Sequence, residues 1–396
     1  MKNYLKIFVL ALVFSLTFQS CNSQDNLKDE LVYKSNEKTE GRQAKVENVN
    51  QSVSESRENA ITKAVRMAED AIVGINVTEV REVVTRSPFG DPFFDFFFGK
   101  RSRKYKVEGL GSGFLISKDG YILTNHHVAG NATKIIVTMT DGTKHNAKII
   151  GADRTSDVAL LKIEGDNFPY LKFGNSDDVL LGEWVIAFGN PFGLFNLNAK
   201  PTVTVGVISN NKIDFTQDRR IYRGMIQTDA AISSGNSGGP LLNADGEVIG
   251  MNTVIFSTAQ SRSGAGSIGI GWAIPINRIK HVIDLLKENK GIDRNYNIGL
   301  NVRVLDSDLA HYLGIERRDG VVVIEVDTRT SAGKAGIEPG DIIIKVNGQK
   351  IVDEDDFWII VGDKIVGDKL TMTIIRDGKE LEKSFVLKHK GLRRGR

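Results

Sequence analysis

Gly235-Asn236-Ser237-Gly238-Gly239-Pro240 sets a serine among glycines at a turn. Glycines there let backbone N–H groups crowd toward a bound carbonyl oxygen, which is what an oxyanion hole needs. The same text satisfies G-x-S-x-G, the nucleophile elbow of the α/β hydrolases. That alternative fails twice. An elbow serine opens a helix, whereas Ser237 runs into P-L-L-N-A-D-G-E-V-I-G, read as strand, turn and strand. The elbow's acid and base also follow the serine, whereas His281, His311 and His389 fall in a predicted helix, a second module and the tail. Upstream stand His126 and His127 at the end of one apolar run, and Asp153 and Asp157 just before another. A neutral imidazole within hydrogen-bond reach can take a serine's proton, and a buried carboxylate can hold that imidazole in one tautomer. Adjacent residues of an extended chain point to opposite sides, so one of the two histidines faces the serine.

The elements that must position these residues are short β-type runs at 111–116, 120–124, 134–138, 147–151, 158–163, 184–188, 202–209 and 248–252. Asp119-Gly120, Asp141-Gly142 and Asp245-Gly246 supply turn signals between several of them. Strand–helix alternation of the parallel-sheet kind is missing from this stretch, so it reads as a barrel or sandwich. The order His, Asp, Ser is that of the chymotrypsin-type double barrel. Apolar residues at 276, 279, 283, 285 and 286 predict a helix over 276–288, ended by Asn289-Lys290-Gly291 and closing the first domain. A second module follows, with strands expected at 321–326, 342–346, 369–376 and 383–387 and turns at Pro339-Gly340-Asp341, Asn347-Gly348 and Asp377-Gly378.

On these residues the chain resembles the HtrA/Deg family of serine proteases with one PDZ domain. T-N-x-H-V, D-x-x-x-D-[hydrophobic]-A-L-L-K and T-D-A-A-I-x-x-G-N-S-G-G-P-L-L-N occur in order, and the similarity covers about 58–387. The resemblance implies a mainly β chain, a chymotrypsin-type double β-barrel over 59–290 and a PDZ domain, a small α+β partly open barrel, over 295–390. It implies that His127 is the base, that Asp157 orients it, and that Ser237 attacks, with N–H groups of Gly235 and Ser237 as oxyanion donors and no cofactor or metal. Ser233-Ser234 departs from the Asn followed by Pro or Arg that family members often carry in the loop shaping that hole. By the same resemblance the substrate pocket is lined by Ile232, Ile255 and Ile270, and Ile298-Gly299-Leu300 forms the loop that binds a peptide carboxylate. The implied partners are unfolded or misfolded proteins, C-terminal peptides and, through the insertion carrying six phenylalanines at 88–99, a homotrimer. The expected activity is ATP-independent endoproteolysis of misfolded exported proteins. A regulatory protease for one signalling protein and a peptide-binding holdase are the competing readings.

The rest of the chain bounds these expectations. At ~150 residues per domain, 396 residues suggest two or three domains. A net charge of +3 gives no electrostatic case for nucleic acid. One cysteine excludes an intrachain disulfide, and six scattered histidines show no zinc-type spacing. Residues 1–21 read as an export signal: Lys2 and Lys6 precede an apolar run, 7–18, that is shorter than the ~20 residues a membrane-spanning helix needs. Cys21 follows where a lipoprotein signal places its lipidated residue, so an envelope location with a lipid anchor is expected. Residues 22–58 are polar and too poor in large apolar side chains to offset ordering entropy, which predicts a flexible tether. Residues 391–396 form a basic tail.

Overall fold

The computed structural model describes residues 57–85, 101–190, 200–217, 220–233, 235–255, 260–261, 264–265, 268–289, 292–312 and 319–390. The export segment with Cys21, nearly all of the tether, the phenylalanine-rich loop and the basic tail lie outside the described residues, as does Ser234.

From Ala60 the chain forms one compact unit. A helix, α1 (Ala60–Ala68), leads into six strands: β1 (Ile72–Thr85), β2 (Arg101–Leu115), β3 (Tyr121–Thr124), β4 (Lys134–Thr138), β5 (Lys144–Asp153) and β6 (Val158–Ile163). They close a barrel in the order β1-β2-β3-β6-β5-β4, sealed by β1–β4 pairing from Gly74↔Thr138 to Thr78↔Lys134. Between β3 and β4 a single helical turn, α2 (His126–Ala129), carries both histidines. A second closed barrel, β10-β11-β14-β9-β8-β7, follows. Its strands are β7 (Trp184–Gly189), β8 (Thr202–Gln217), β9 (Arg220–Thr228), β10 (Pro240–Leu242), β11 (Val248–Ile255) and β14 (Gly271–Pro275), with a small ribbon, β12 (Gln260–Ser261) and β13 (Gly264–Ala265), between the last two.

Alternation of apolar and polar residues turns one face of each strand inward. Ile75, Phe114, Leu123 and Leu160 are fully buried in the first barrel, and Val185, Ala187, Ile226 and Leu241 form the second core. Each large aliphatic side chain so buried contributes roughly 1.5–3 kcal/mol. The helix α3 (Ile276–Asn289) buries Ile276, Ile279, Ile283 and Leu286 along one stripe against β5 and β11, as its spacing predicts.

The second module has a mixed set of elements: β15 (Leu300–Val304), α4 (Ser307–Tyr312), β16 (Val321–Val326), α5 (Ser331–Lys334), β17 (Ile342–Val346), β18 (Gln349–Lys350), α6 (Glu354–Gly362), β19 (Lys369–Arg376) and β20 (Lys379–Val386). Its sheet runs β15-β16-β17-β19-β20, with β18 paired to β17. Phe357 and Ile360 of α6 enter a core with Val321, Ile343 and Leu370.

A carboxylate joins the module to the barrels. Asp363, capping the C-terminal end of α6, accepts Arg278 Nη1 at 2.9 Å and Nη2 at 2.5 Å from α3, and lies 3.3 Å from Arg223 Nη1 on β9. Arg294, in the connection between the domains, donates to the Asp363 and Lys364 carbonyls and forms an ion pair with Asp153 at 3.0 Å. Burial alone would raise the Asp363 carboxyl pKa, but Arg278, Arg294 and Arg223 hold it below the usual carboxylate range. A folded-state pKa lowered in this way contributes stability above the unfolded value of about 3.9, and that stability is lost as pH falls through the folded value. Asp363→Ala should therefore destabilise the α6–barrel contact by roughly 2–4 kcal/mol at pH 7 and by progressively less below about pH 4. Calorimetry at both pH values checks this, and an unchanged unfolding profile at pH 7 would reject it.

Candidate active site

Local chain geometry places the two histidines differently. They sit on the helical turn α2 and not on extended chain, so about 100° of helical rotation separates them, where the extended-chain expectation was opposite faces. The His126 ring lies over Gly130, where a Cβ would come within 2.4 Å of its Cδ2. Burial lowers the pKa of His126. His127 points into the cleft with its side chain 31% exposed, and its Nδ1 stands 2.8 Å from Asp157 Oδ2. The His127 backbone N–H donates to Asp157 Oδ1 at 3.0 Å, so the carboxylate grips both ring and main chain.

Asp157 is fully buried and adopts φ of 58°, a left-handed conformation that a non-glycine residue holds only under surrounding constraint. The constraint is visible: its carbonyl accepts His126 N at 3.1 Å and Asn125 Nδ2 at 3.0 Å. Burial acts to raise its pKa, but the hydrogen bond and charge of His127 and the charge of Arg220 outweigh it and keep the carboxyl ionised. Asp153, four residues earlier, serves elsewhere. Its Oδ2 accepts Ser156 N at 2.9 Å and Oγ at 2.6 Å, and it pairs with Arg294.

Ser237 stands on the turn before β10, lining one cleft of about 310 Å³ with His127, Gly235, Val77, Glu79 and Leu110. Its hydroxyl donates to Thr253 O at 2.9 Å, while Thr253 Oγ1 donates to Asp157 Oδ2 at 2.9 Å. One threonine of β11 therefore touches both the serine and the acid. The first barrel clamps the serine turn through Ser112 of β2. Its N–H donates to Ser237 O at 3.0 Å, its hydroxyl donates to Gly235 O at 2.6 Å, and that hydroxyl accepts Asn190 N at 2.7 Å. The approach is close enough to dictate the residue after the serine. Gly238 has φ of 86°, and a Cβ there would lie 2.2 Å from Ser112 O. Gly235 is also left-handed, with φ of 97°.

The remaining expected site residues are distributed as follows. Ile232 is fully buried in the second-barrel core, its Cδ1 against Gly271, so it packs the barrel and lies beneath any pocket surface. Ile270 is half-buried, and the Ile255 side chain lies outside the described residues. In the second module Ile298 and Leu300 are buried around Gly299, whose φ is 73°. The Gly299 N–H already donates to Asn297 Oδ1 at 3.0 Å. Sequence reasoning missed Ser112, Thr253, Tyr222 and Arg220, because each acquires meaning only through a contact across the barrels. The G-S-G of β2 was the single local signal for any of them. Among the described residues no His, Cys, Asp or Glu group could hold a metal ion, and no helix is long and apolar enough to cross a membrane.

Comparison with known proteins agrees with this geometry. Residues 111–251 match the Trypsin-like peptidase domain family and residues 297–385 the PDZ domain family. A probable periplasmic serine endoprotease, DegP-like, of Chlamydia muridarum is 41% identical over 303 residues, 74% of this chain and 58% of the relative. The DegP-like counterpart of Halomonas elongata is 37% identical over 80% of this chain and 68% of its own. The chain thus spans just over half the length of some of these relatives. Among solved structures, the HtrA-type protease AlgW with a decapeptide aligns with a TM-score of 0.65 and 33% identity, covering 84% of this chain and 99% of that one. A serine endoprotease from Yersinia pestis aligns at 0.55 and 30%, covering 84% and 99%. With the relative sequence order of histidine, aspartate and serine, two closed barrels and a PDZ module all in place, the chain belongs to the HtrA-type, DegP-like serine endoproteases.

Proposed function

We propose that this protein is a serine endopeptidase of the cell envelope that cleaves unfolded or misfolded exported proteins without ATP. The observation that carries the reading is the 2.8 Å bond from His127 Nδ1 to buried Asp157 in the cleft that Ser237 also lines. In this reading the Ser237 hydroxyl turns from Thr253 O toward His127, whose free ring nitrogen accepts its proton as the oxygen attacks a substrate carbonyl. Asp157 keeps the ring in the required tautomer and stabilises the imidazolium. The N–H groups of Gly235 and Ser237 receive the oxyanion, and His127 returns the proton to the leaving amine.

The periplasmic names of the relatives and the export-type segment 1–21 support an envelope location. Cys21 supports a lipid anchor, the PDZ loop 298–300 supports capture of C-terminal peptides, and the phenylalanine-rich insertion supports a homotrimer. A regulated protease is favoured over a constitutive one by two contacts: Ser237 bonded to Thr253 O, and Asn297 occupying the Gly299 N–H that a peptide carboxylate would use.

The pocket reading rests on the sequence positions of Ile270 and Ile255, Ile232 being buried in the second-barrel core. No acid stands among these, so a buried substrate Lys or Arg would go unpaired at a cost of several kcal/mol. Branched walls make a shallow site for Val, Ala, Ile or Leu, with modest discrimination because one methylene is worth ~1–3 kcal/mol. The test incubates the full-length protein with a denatured protein, with and without a hydrophobic C-terminal peptide, and maps the cuts by mass spectrometry. Membrane fractionation of wild type against Cys21→Ser, on the same preparations, tests the anchor, and equal fractionation of the two would discard it. Cuts mainly after small aliphatic residues, stimulated by the peptide and absent with Ser237→Ala, are expected. Cuts mainly after Lys, Arg or large aromatics would overturn the pocket, and none under any condition would overturn the protease.

A further inference from the structure

Asp157 carries more donors than orienting one imidazole requires. Its Oδ2 accepts His127 Nδ1 at 2.8 Å, Thr253 Oγ1 at 2.9 Å and Tyr222 OH at 3.2 Å. Its Oδ1 accepts His127 N at 3.0 Å and lies 3.3 Å from Arg220 Nε, an ion pair without hydrogen-bond alignment. The Arg220 side chain is 18% exposed and that of Asp157 is 0%, so solvent screens this pair poorly. Arg220 and Tyr222 are two residues apart at the start of β9 and therefore share a face of the strand. The hairpin register sets them there: β8 and β9 pair from Ile208↔Thr228 to Gln217↔Arg220, with register irregularities along β8. Ile221 N donates to Thr155 O at 2.8 Å, docking that end of β9 on the turn that holds Asp157.

Resting on the proteolytic reading above, we propose that Arg220 is a positioning residue for the reaction, fixing Asp157 as an ion and opposing the positive charge that develops on His127. Mutagenesis of Arg220 should therefore move the pH range of activity and not only its level. A fixed cation beside the acid spends part of the carboxylate's field, so removing it leaves the carboxylate free to pull harder on an imidazolium at His127. The other ionisable groups around the pair do not duplicate this. Burial lowers the pKa of His126 on α2. Asp153 at the end of β5 is matched by Arg294, and Arg154 follows it in sequence. Tyr222 stays protonated, its pKa raised by burial and then by Asp157, and Glu79 lines the cleft from β1. Arg220 is the one guanidinium among the described residues at ion-pair distance from Asp157.

The experiment measures kcat/KM of the full-length protein from about pH 5 to 9 for wild type, Arg220→Gln and Arg220→Lys. The acid limb of Arg220→Gln should move up by roughly half a pH unit or more, about a threefold loss on that side, with activity near pH 8.5 within a few-fold of wild type. Arg220→Lys, which keeps the charge, should return the limb toward wild type. A uniform loss at every pH, equal in the two variants, would overturn the proposal and leave Arg220 a packing residue. Histidine-labelled Ser237→Ala, with and without Arg220→Gln, supplies a readout that needs no cleavage: the titration of the His127 ring followed by NMR. An unshifted ring titration overturns the proposal even if the protein cleaves, and a shifted one supports it even if the proteolytic reading fails.

Discussion

Ser237→Ala and His127→Ala are each expected to lower kcat on an unfolded protein by on the order of 10⁶, while His126→Ala stays within about tenfold of wild type. Nucleophile and base act as a unit, so removing either leaves only what substrate binding and the oxyanion donors supply. The contrast between neighbouring histidines is the sharper part of the expectation. His127 alone places Nδ1 on Asp157 and a ring in the cleft, whereas His126 packs its ring over Gly130. Truncating His126 leaves a small void in a half-buried position, a cost in stability and not in chemistry. Steady-state kinetics on the three variants, with circular dichroism to show that each is folded, decide the matter. An inactive His126→Ala beside an active His127→Ala would reverse the assignment.

Asp157→Asn should cost about 10⁴ in kcat with little change in KM, because both carboxylate oxygens accept from His127, one from its backbone N–H and one from Nδ1, so an amide can keep its oxygen on the backbone N–H only by turning its NH2 donor toward Nδ1, which fixes the wrong tautomer. The neighbouring acid provides the control. Asp153→Asn loses the Arg294 ion pair and part of the Ser156 cap, so it should lower stability by roughly 1–3 kcal/mol and leave kcat within about tenfold. The same pair of measurements on each variant, denaturant unfolding and kcat, separates the two roles. A variant pattern in which Asp153→Asn abolishes turnover and Asp157→Asn does not would show that the wrong carboxylate has been placed behind the base.

Several elements were legible before any coordinates. The strands over 134–138, 158–163, 321–326, 342–346 and 369–376 appear with the bounds that their apolar runs and turn residues indicate, and α3 follows its helical spacing to within a residue. Others were hidden. β8 extends eight residues past the expected end at 209, and β9 was missed because Arg220, Arg223 and Gln227 break up its apolar pattern. The two arginines do not face bulk water: Arg220 reaches Asp157 and Arg223 reaches Asp363, so the pattern reads as loop only when the partners are unknown. β10 appears where Pro240-Leu241-Leu242 reads as a strand after the serine turn, and α6 has apolar residues on most sides because it packs between its own sheet and the barrels.

By itself the sequence determined which residue types were available for acyl-transfer chemistry and in what order they come. It also determined the need for glycine around Ser237 and the division into a β-rich first domain, a closing helix and a second module. These follow from local physics: periodicity selects strand or helix, and glycine alone tolerates the left-handed turns. The motif resemblance pointed to His127 and Asp157, but only the tertiary structure supplied the contact that joins them and showed that Ser112, Thr253, Tyr222 and Arg220 belong to the same cluster. Those links depend on contacts between residues up to 125 positions apart, such as Ser112 N to Ser237 O, and on a backbone bent to φ of 58° at Asp157. Barrel closure and register determine such distances, and no pattern confined to a single strand encodes them.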